Sequence, residues 1–174
     1  IANFGEPKTN LENQQRSINI LKFDLSKYKT ITNIEELNNW IKKIEKKGLV
    51  VIDTETTSLN PQEADLVGIS MCLAPGDACY IPLKHNDKKN LDIKLVLQKL
   101  KSTLEDPSIK KIGQNIKFDY IILLRHKIDI GPIDDTMLMS YVLDAGKNRH
   151  NMDILSEIHL GHKTIQFKDI VGSG

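Results

Sequence analysis

Val50 to Leu59 reads VVIDTETTSL, an apolar β-branched run that ends in two carboxylates separated by one threonine. Successive side chains on a strand point to opposite faces, so Asp53 and Glu55 project the same way while Thr54 points back toward the other side. Two acids held side by side repel each other. A half-buried sheet end tolerates them only with a compensating cation or a shared proton. The economical reading is a divalent metal site.

Working outward, the run Leu49 to Asp53 has the continuous apolar character of a central strand. Before it, Thr32 and Glu35 form a capping-box pattern ahead of Ile34, Leu37, Ile41 and Ile44 at helical spacing, with Gly48 as the stop. Tyr28 to Ile31 reads as a short strand. After it, Leu66 to Leu73 and Ala78 to Leu83 flank Pro75-Gly76-Asp77, the turn chemistry of an antiparallel hairpin. The pattern then changes. Leu91 to Leu104 reads as a helix, Lys110 to Gly113 as a strand, Asn115 as a cap and Ile116 to about His126 as a helix. Ile133 to Thr136 reads as one more strand, with helices over Met137 to Leu143 and Met152 to Leu160. Strands first in a meander and later alternating with helices predict an α/β fold with a mixed sheet and helices packed on it.

The chain has 174 residues and a formal net charge of +1, enough for one domain with a real core and without the basic footprint that announces nucleic acid. A carboxylate metal site needs no such footprint. Cys72 and Cys79 stand in no metal-ligand or redox spacing and read as reduced core thiols of a cytoplasmic protein. No apolar run has the length of a membrane span, so no membrane partner is expected. Ile1 to about Asn19 is rich in Asn, Gln, Lys and Glu and reads as a linker; residues 1–27 are assigned to it and residues 28–174 to the folded domain. Because the first residue is Ile1, the chain reads as a piece of a longer polypeptide or as a processed or trimmed one.

A second acid stands out in Gly113 to Tyr120, GQNIKFDY, where a strand end passes into a helix and Asp119 falls one turn inside it. A helix start of this kind can lie beside the carboxyl end of the central strand, so Asp53, Glu55 and Asp119 could converge. Oxygen-only ligands favour Mg²⁺ or Mn²⁺, and two such ions can clamp both oxygens of an in-line phosphoryl displacement.

The strings DTETTSL, GQNIKFDY, DDTMLMSYVLDAG, RHNMDILSE and HKTIQFKDIVG occur in one order. Together they closely resemble the 3′-to-5′ proofreading exonuclease domain of bacterial DNA polymerase I, in the DEDD (DnaQ-like) superfamily with a ribonuclease H-like fold. The resemblance implies that Asp53, Glu55 and Asp119 are the catalytic metal ligands for two Mg²⁺ or Mn²⁺ ions. It also implies that Thr54, Leu59, Gln114, Asn115, Arg149, Met152 and Phe167 contact the substrate. Leu59 matches the apolar residue that packs on the terminal base and Phe167 its aromatic companion. The implied partners are the 3′ end of single-stranded DNA and an adjoining polymerase domain, with no functional oligomer.

The resemblance is incomplete. The third motif of this subfamily, Tyr-x-x-x-Asp, would supply the fourth acid, and neither it nor the His-x-x-x-x-Asp of the sister subfamily occurs; Tyr141 and Asp144 are one residue too close. The fragment is therefore expected to be inactive or weakly active. Two rivals stand beside the DNA exonuclease: a catalytically silent single-strand-binding or structural module, and an RNA 3′ exonuclease of the same superfamily. Other residues have plainer readings. Asp134 and Asp135 precede a helix, so capping explains at least one of them, the five histidines are scattered, and Leu59 and Phe167 also suit a core.

Overall fold

The computed structural model describes residues 24–86, 90–165 and 169; most of the expected linker and the Phe167 position lie outside them. Leu25–Lys27 forms a short 3-10 helix, and β1 (Lys29–Thr30) follows. Next come α1 (Ile34–Lys47), β2 (Leu49–Thr56), β3 (Leu66–Ala74) and β4 (Asp77–Pro82). The second half holds α2 (Ile93–Glu105), β5 (Lys110–Gly113), α3 (Lys117–Arg125), β6 (Ile133–Asp135), α4 (Thr136–Asp144) and α5 (Met152–Leu160). The six strands make one sheet in the order β1-β4-β3-β2-β5-β6. The pairs β2–β3 and β3–β4 are antiparallel, whereas β1–β4, β2–β5 and β5–β6 are parallel. This mixed sheet with flanking helices is the ribonuclease H-like architecture.

Alternation along β2 sorts the sheet's faces. Val50 and Ile52 are buried with Ile69, Met71, Cys79 and Ile81 of the neighbouring strands, against Leu37, Trp40 and Ile44 of α1 and Val96, Leu100 and Leu104 of α2. Ile122 and Leu123 of α3 join the same core. On the other face Val51 is 37% exposed. It lines a shallow cavity of about 370 Å³ with Ser70, Cys72, Tyr80 and Tyr28. The two thiols thus sit on opposite faces: Cys79 is a core residue, its thiol pushed up to about 12 mainly by burial, while Cys72 is half-buried, and both are free.

Local signals account for most helix ends, with two corrections. The cap of α1 is Asn33 and not Thr32: Asn33 Oδ1 accepts the Glu36 N–H at 2.9 Å, and Glu36 Oε2 accepts the Thr32 N–H at 3.1 Å. The cap thus lies one residue later than the sequence pattern suggests, and the return bond from Glu36 goes to the residue before it. Gly48 closes the helix with φ +71°, a left-handed conformation that glycine adopts without steric cost. Asn115 makes no side-chain cap of α3. It adopts φ +58° instead, and the helix starts are served by Asp135. Asp135 Oδ1 accepts the N–H groups of Asn115 at 3.0 Å and Met137 at 2.9 Å, and Oδ2 accepts that of Ile116 at 3.1 Å. One buried carboxylate therefore ties the entries of α3 and α4 together.

Lys111 carries no apolar signal in the sequence, yet it is fully buried. Its ammonium donates to the carbonyls of Asp106 at 2.8 Å, Ile109 at 2.7 Å and Gly131 at 2.5 Å. Asp106 and Ile109 lie just before β5 and Gly131 just before β6, so a single cation staples the entries of these two parallel strands.

Candidate active site

Strand β5 pairs with β2 only as far as Val51 opposite Ile112, and the chain then leaves the sheet at Gly113 for α3. From Ile52 onward the edge of β2 that faced β5 is open. Asp119, in the first turn of α3, fills this gap. Its Oδ1 accepts the Thr54 backbone N–H at 2.8 Å and the Thr54 hydroxyl at 2.6 Å. The carboxylate thus takes the place of the missing neighbouring strand, and the early end of β5 brings α3's acid to the level of Asp53 and Glu55.

The three acids line one cleft of about 660 Å³, together with Thr54, Leu59, Gln114, Asn115 and Phe118. Asp119 is 3% exposed. Burial is the largest influence on Asp53, which is pushed up to about 6, with Asp119 and then Glu55 adding repulsion. Burial likewise pushes the Asp119 carboxyl above the usual range, against the two Thr54 hydrogen bonds that favour its charged form and with a further push from Glu55. This is the signature of a negative site short of positive charge. The oxygen-only donors fit a hard divalent cation in kind. In spacing they are open: among the described residues no three of these side chains close into a ready metal cage.

Leu59 is 94% exposed at the lip of the cleft, so the core reading of this residue does not hold. Its loop is fastened: Arg125 at the end of α3 donates to the carbonyls of Pro61 at 2.9 Å and Ala64 at 2.6 Å, and Thr57 Oγ1 accepts the Asp65 N–H at 3.0 Å. Gln114 is held on both sides, donating to the His150 carbonyl at 2.8 Å and accepting the Thr136 hydroxyl at 2.5 Å. The expected contacts Arg149 and Met152 are not in this cleft. Arg149 lines an adjacent one with Met137, Leu138, Tyr141 and His150, and Met152 is the half-exposed first residue of α5. The Gln114 bond to His150 joins the two clefts. Phe118 is an addition to the expected set; it lies in the GQNIKFDY string, but its helical position alone does not distinguish a cleft wall from core.

Residues 28–174 match the family model described as 3′-5′ exonuclease. The chain belongs to this family. It is a nuclease domain of the kind carried by DNA polymerase I: it is 42% identical over 174 residues to DNA polymerase I of Rhizobium leguminosarum, covering 88% of this chain and 17% of that protein. The same protein of Pseudomonas aeruginosa is 42% identical over 153 residues, covering 84% and 17%. The chain thus spans about a sixth of the length of these curated relatives. Among solved structures, RNase D of Escherichia coli, an exoribonuclease involved in structured RNA processing, superposes with a TM-score of 0.64 at 19% identity, covering 81% of this chain and 35% of that one. NrnC of Brucella melitensis bound to pGG gives 0.59 at 24% identity, covering 80% and 62%. At these identities the two structures share the exonuclease fold.

Proposed function

We propose that this domain hydrolyses the terminal phosphodiester at the 3′ end of a DNA strand, as the proofreading part of a bacterial, cytoplasmic DNA polymerase I. The observation that carries the reading is the cleft at the end of β5, where Asp53 and Glu55 of the central strand meet Asp119 of α3 at the open edge of the sheet. Its acids Asp53, Glu55 and Asp119 are the residues that would hold Mg²⁺ or Mn²⁺. NrnC, which shares the fold, has been solved with bound Mg²⁺. Such ions, when bound, supply activation of the attacking water and stabilisation of the leaving oxygen.

The chain's own residues do the rest. Thr54 fixes Asp119 through two hydrogen bonds to Oδ1, which leaves its second oxygen outside that pairing. Glu55 orients the water. Leu59 offers an exposed apolar surface to the terminal base, and Asn115, with Gln114 holding the cleft wall, steers the phosphates without reading sequence. Arg149, in the adjacent cleft, extends the contact along the DNA strand, and an adjoining polymerase domain delivers the 3′ end.

The test is trimming of matched DNA and RNA oligonucleotides by the intact polypeptide that carries these residues, in Mg²⁺ and then with chelator. Faster removal of 3′ nucleotides from DNA, abolished by the chelator, is the expected result. Preference for RNA moves the domain to the RNase D-like role, and binding without cleavage makes it a silent module.

A further inference from the structure

Glu55 faces an unusual arrangement on the neighbouring strands. Its partner across the antiparallel ladder is Gly68. A Cβ placed on Gly68 would stand 1.9 Å from the Tyr80 hydroxyl, so the phenol occupies the space where any other residue's side chain would lie. Side chains directly opposite in a ladder have Cβ atoms about 4.5 to 5.5 Å apart. The Tyr80 hydroxyl therefore stands beside the stem of Glu55, within reach of its carboxylate. It is fixed there. Tyr80 Oη lies 2.6 Å from His85 Nε2, and the two rings meet edge to face at 5.6 Å and 73°. His85 is pinned in turn, its N–H donating to Asn90 Oδ1 at 2.8 Å and its carbonyl accepting from Asn90 Nδ2 at 2.6 Å.

We infer that Tyr80 and His85 form a positioning pair for Glu55, with Gly68 as the gap that lets the phenol reach it. This rests on the hydrolytic reading given above. With the proton on Nε2, His85 donates to the Tyr80 oxygen, and the phenol proton is left for the Glu55 carboxylate. A donor held there restricts the carboxylate to one orientation, which is what a metal ligand on an exposed strand end lacks. The position directly opposite Glu55 on β3 has no side chain of its own to serve instead.

The experiment uses the intact polypeptide and reads Mn²⁺ affinity by electron paramagnetic resonance, kcat and KM on a 3′-labelled single strand, and melting temperature. Tyr80→Phe and His85→Ala should each weaken Mn²⁺ binding and lower kcat by roughly 10-fold, the scale for groups that orient a metal ligand. KM and melting temperature should stay near the parent's. His85→Gln, which keeps a nitrogen donor, should recover most of the loss, and Gly68→Ala, which displaces the phenol, should reproduce it. Asp53→Ala is the control for the hydrolytic reading. If Asp53→Ala binds Mn²⁺ and cuts DNA like the parent, that reading falls. If Asp53→Ala is inert while Tyr80→Phe matches the parent in Mn²⁺ affinity and kcat, this inference alone is overturned, as it is by a loss that His85→Gln does not restore.

Discussion

Asp53 concentrates the electrostatic conflict of the site. In the fold its carboxyl titrates at about 6, against 3.8 for a free aspartate. Between those values the folded chain holds a proton that the unfolded chain has released. Its share of stability is therefore fullest at the acid end and declines as pH rises through the window. In the absence of metal, Asp53→Asn should remove this decline and stabilise the domain above the window by about 1 to 2 kcal/mol, discounted for solvent screening. Thermal melts across pH in chelator check it; a variant no more stable than the parent at neutral pH would contradict it. Leu59 makes the opposite case, a residue with nothing to lose in the core. Leu59→Ala should leave the melting temperature unchanged and raise KM for a single strand several-fold, on the scale of about 1 kcal/mol for lost apolar contact. At this scale the sequence was legible where spacing dictates orientation, as for Asp53 and Glu55. It was silent where a contact depends on two remote segments: nothing near Asp119 announces that its acceptor role is toward Thr54, and nothing near Tyr80 announces Gly68.

At the scale of elements, the hairpin at Pro75-Gly76 and the later helices fall close to where turn residues and periodicity place them, because each is decided by local chemistry, whereas the central strand expected over Leu49 to Asp53 runs on to Thr56. Helix starts are less local. Asn115 has the residue type of a cap, but its positive φ turns it out of the capping geometry, and Asp135 from a strand 20 residues on supplies the acceptors. Asp135→Ala strands N–H groups at two helix entries and should cost about 2 to 3 kcal/mol. Chemical denaturation measures it, and a loss under about 0.5 kcal/mol, the level of a neutral surface change, would refute the double-cap role. Helix α4 shows the reverse of a core helix: Ser140 is its one buried residue while Tyr141, Val142 and Leu143 are exposed. Its apolar sequence suits either environment, so periodicity alone did not settle which face is covered.

For the whole molecule, the site is a product of strand lengths. The central strand β2 runs on beyond β5, the parallel neighbour turns away into α3, and the acid of that helix takes the vacated edge. No helix among the described residues is long and apolar enough to cross a membrane. The family was legible because five strings keep one order along the chain. The orientation of Arg149 and Met152 was not, because it depends on how the loop before α5 folds back over Gln114. In the function proposed above, the two carboxylates of β2 and Asp119 work as one hydrolytic site. The most direct measurement is release of the terminal nucleotide from a 3′-labelled single strand by the intact polypeptide, compared with its Asp53→Ala variant at equal foldedness. Asp53→Ala should lose turnover by at least about 1000-fold, as for removal of a group on which the chemistry depends. Turnover within a few-fold of the parent would contradict it.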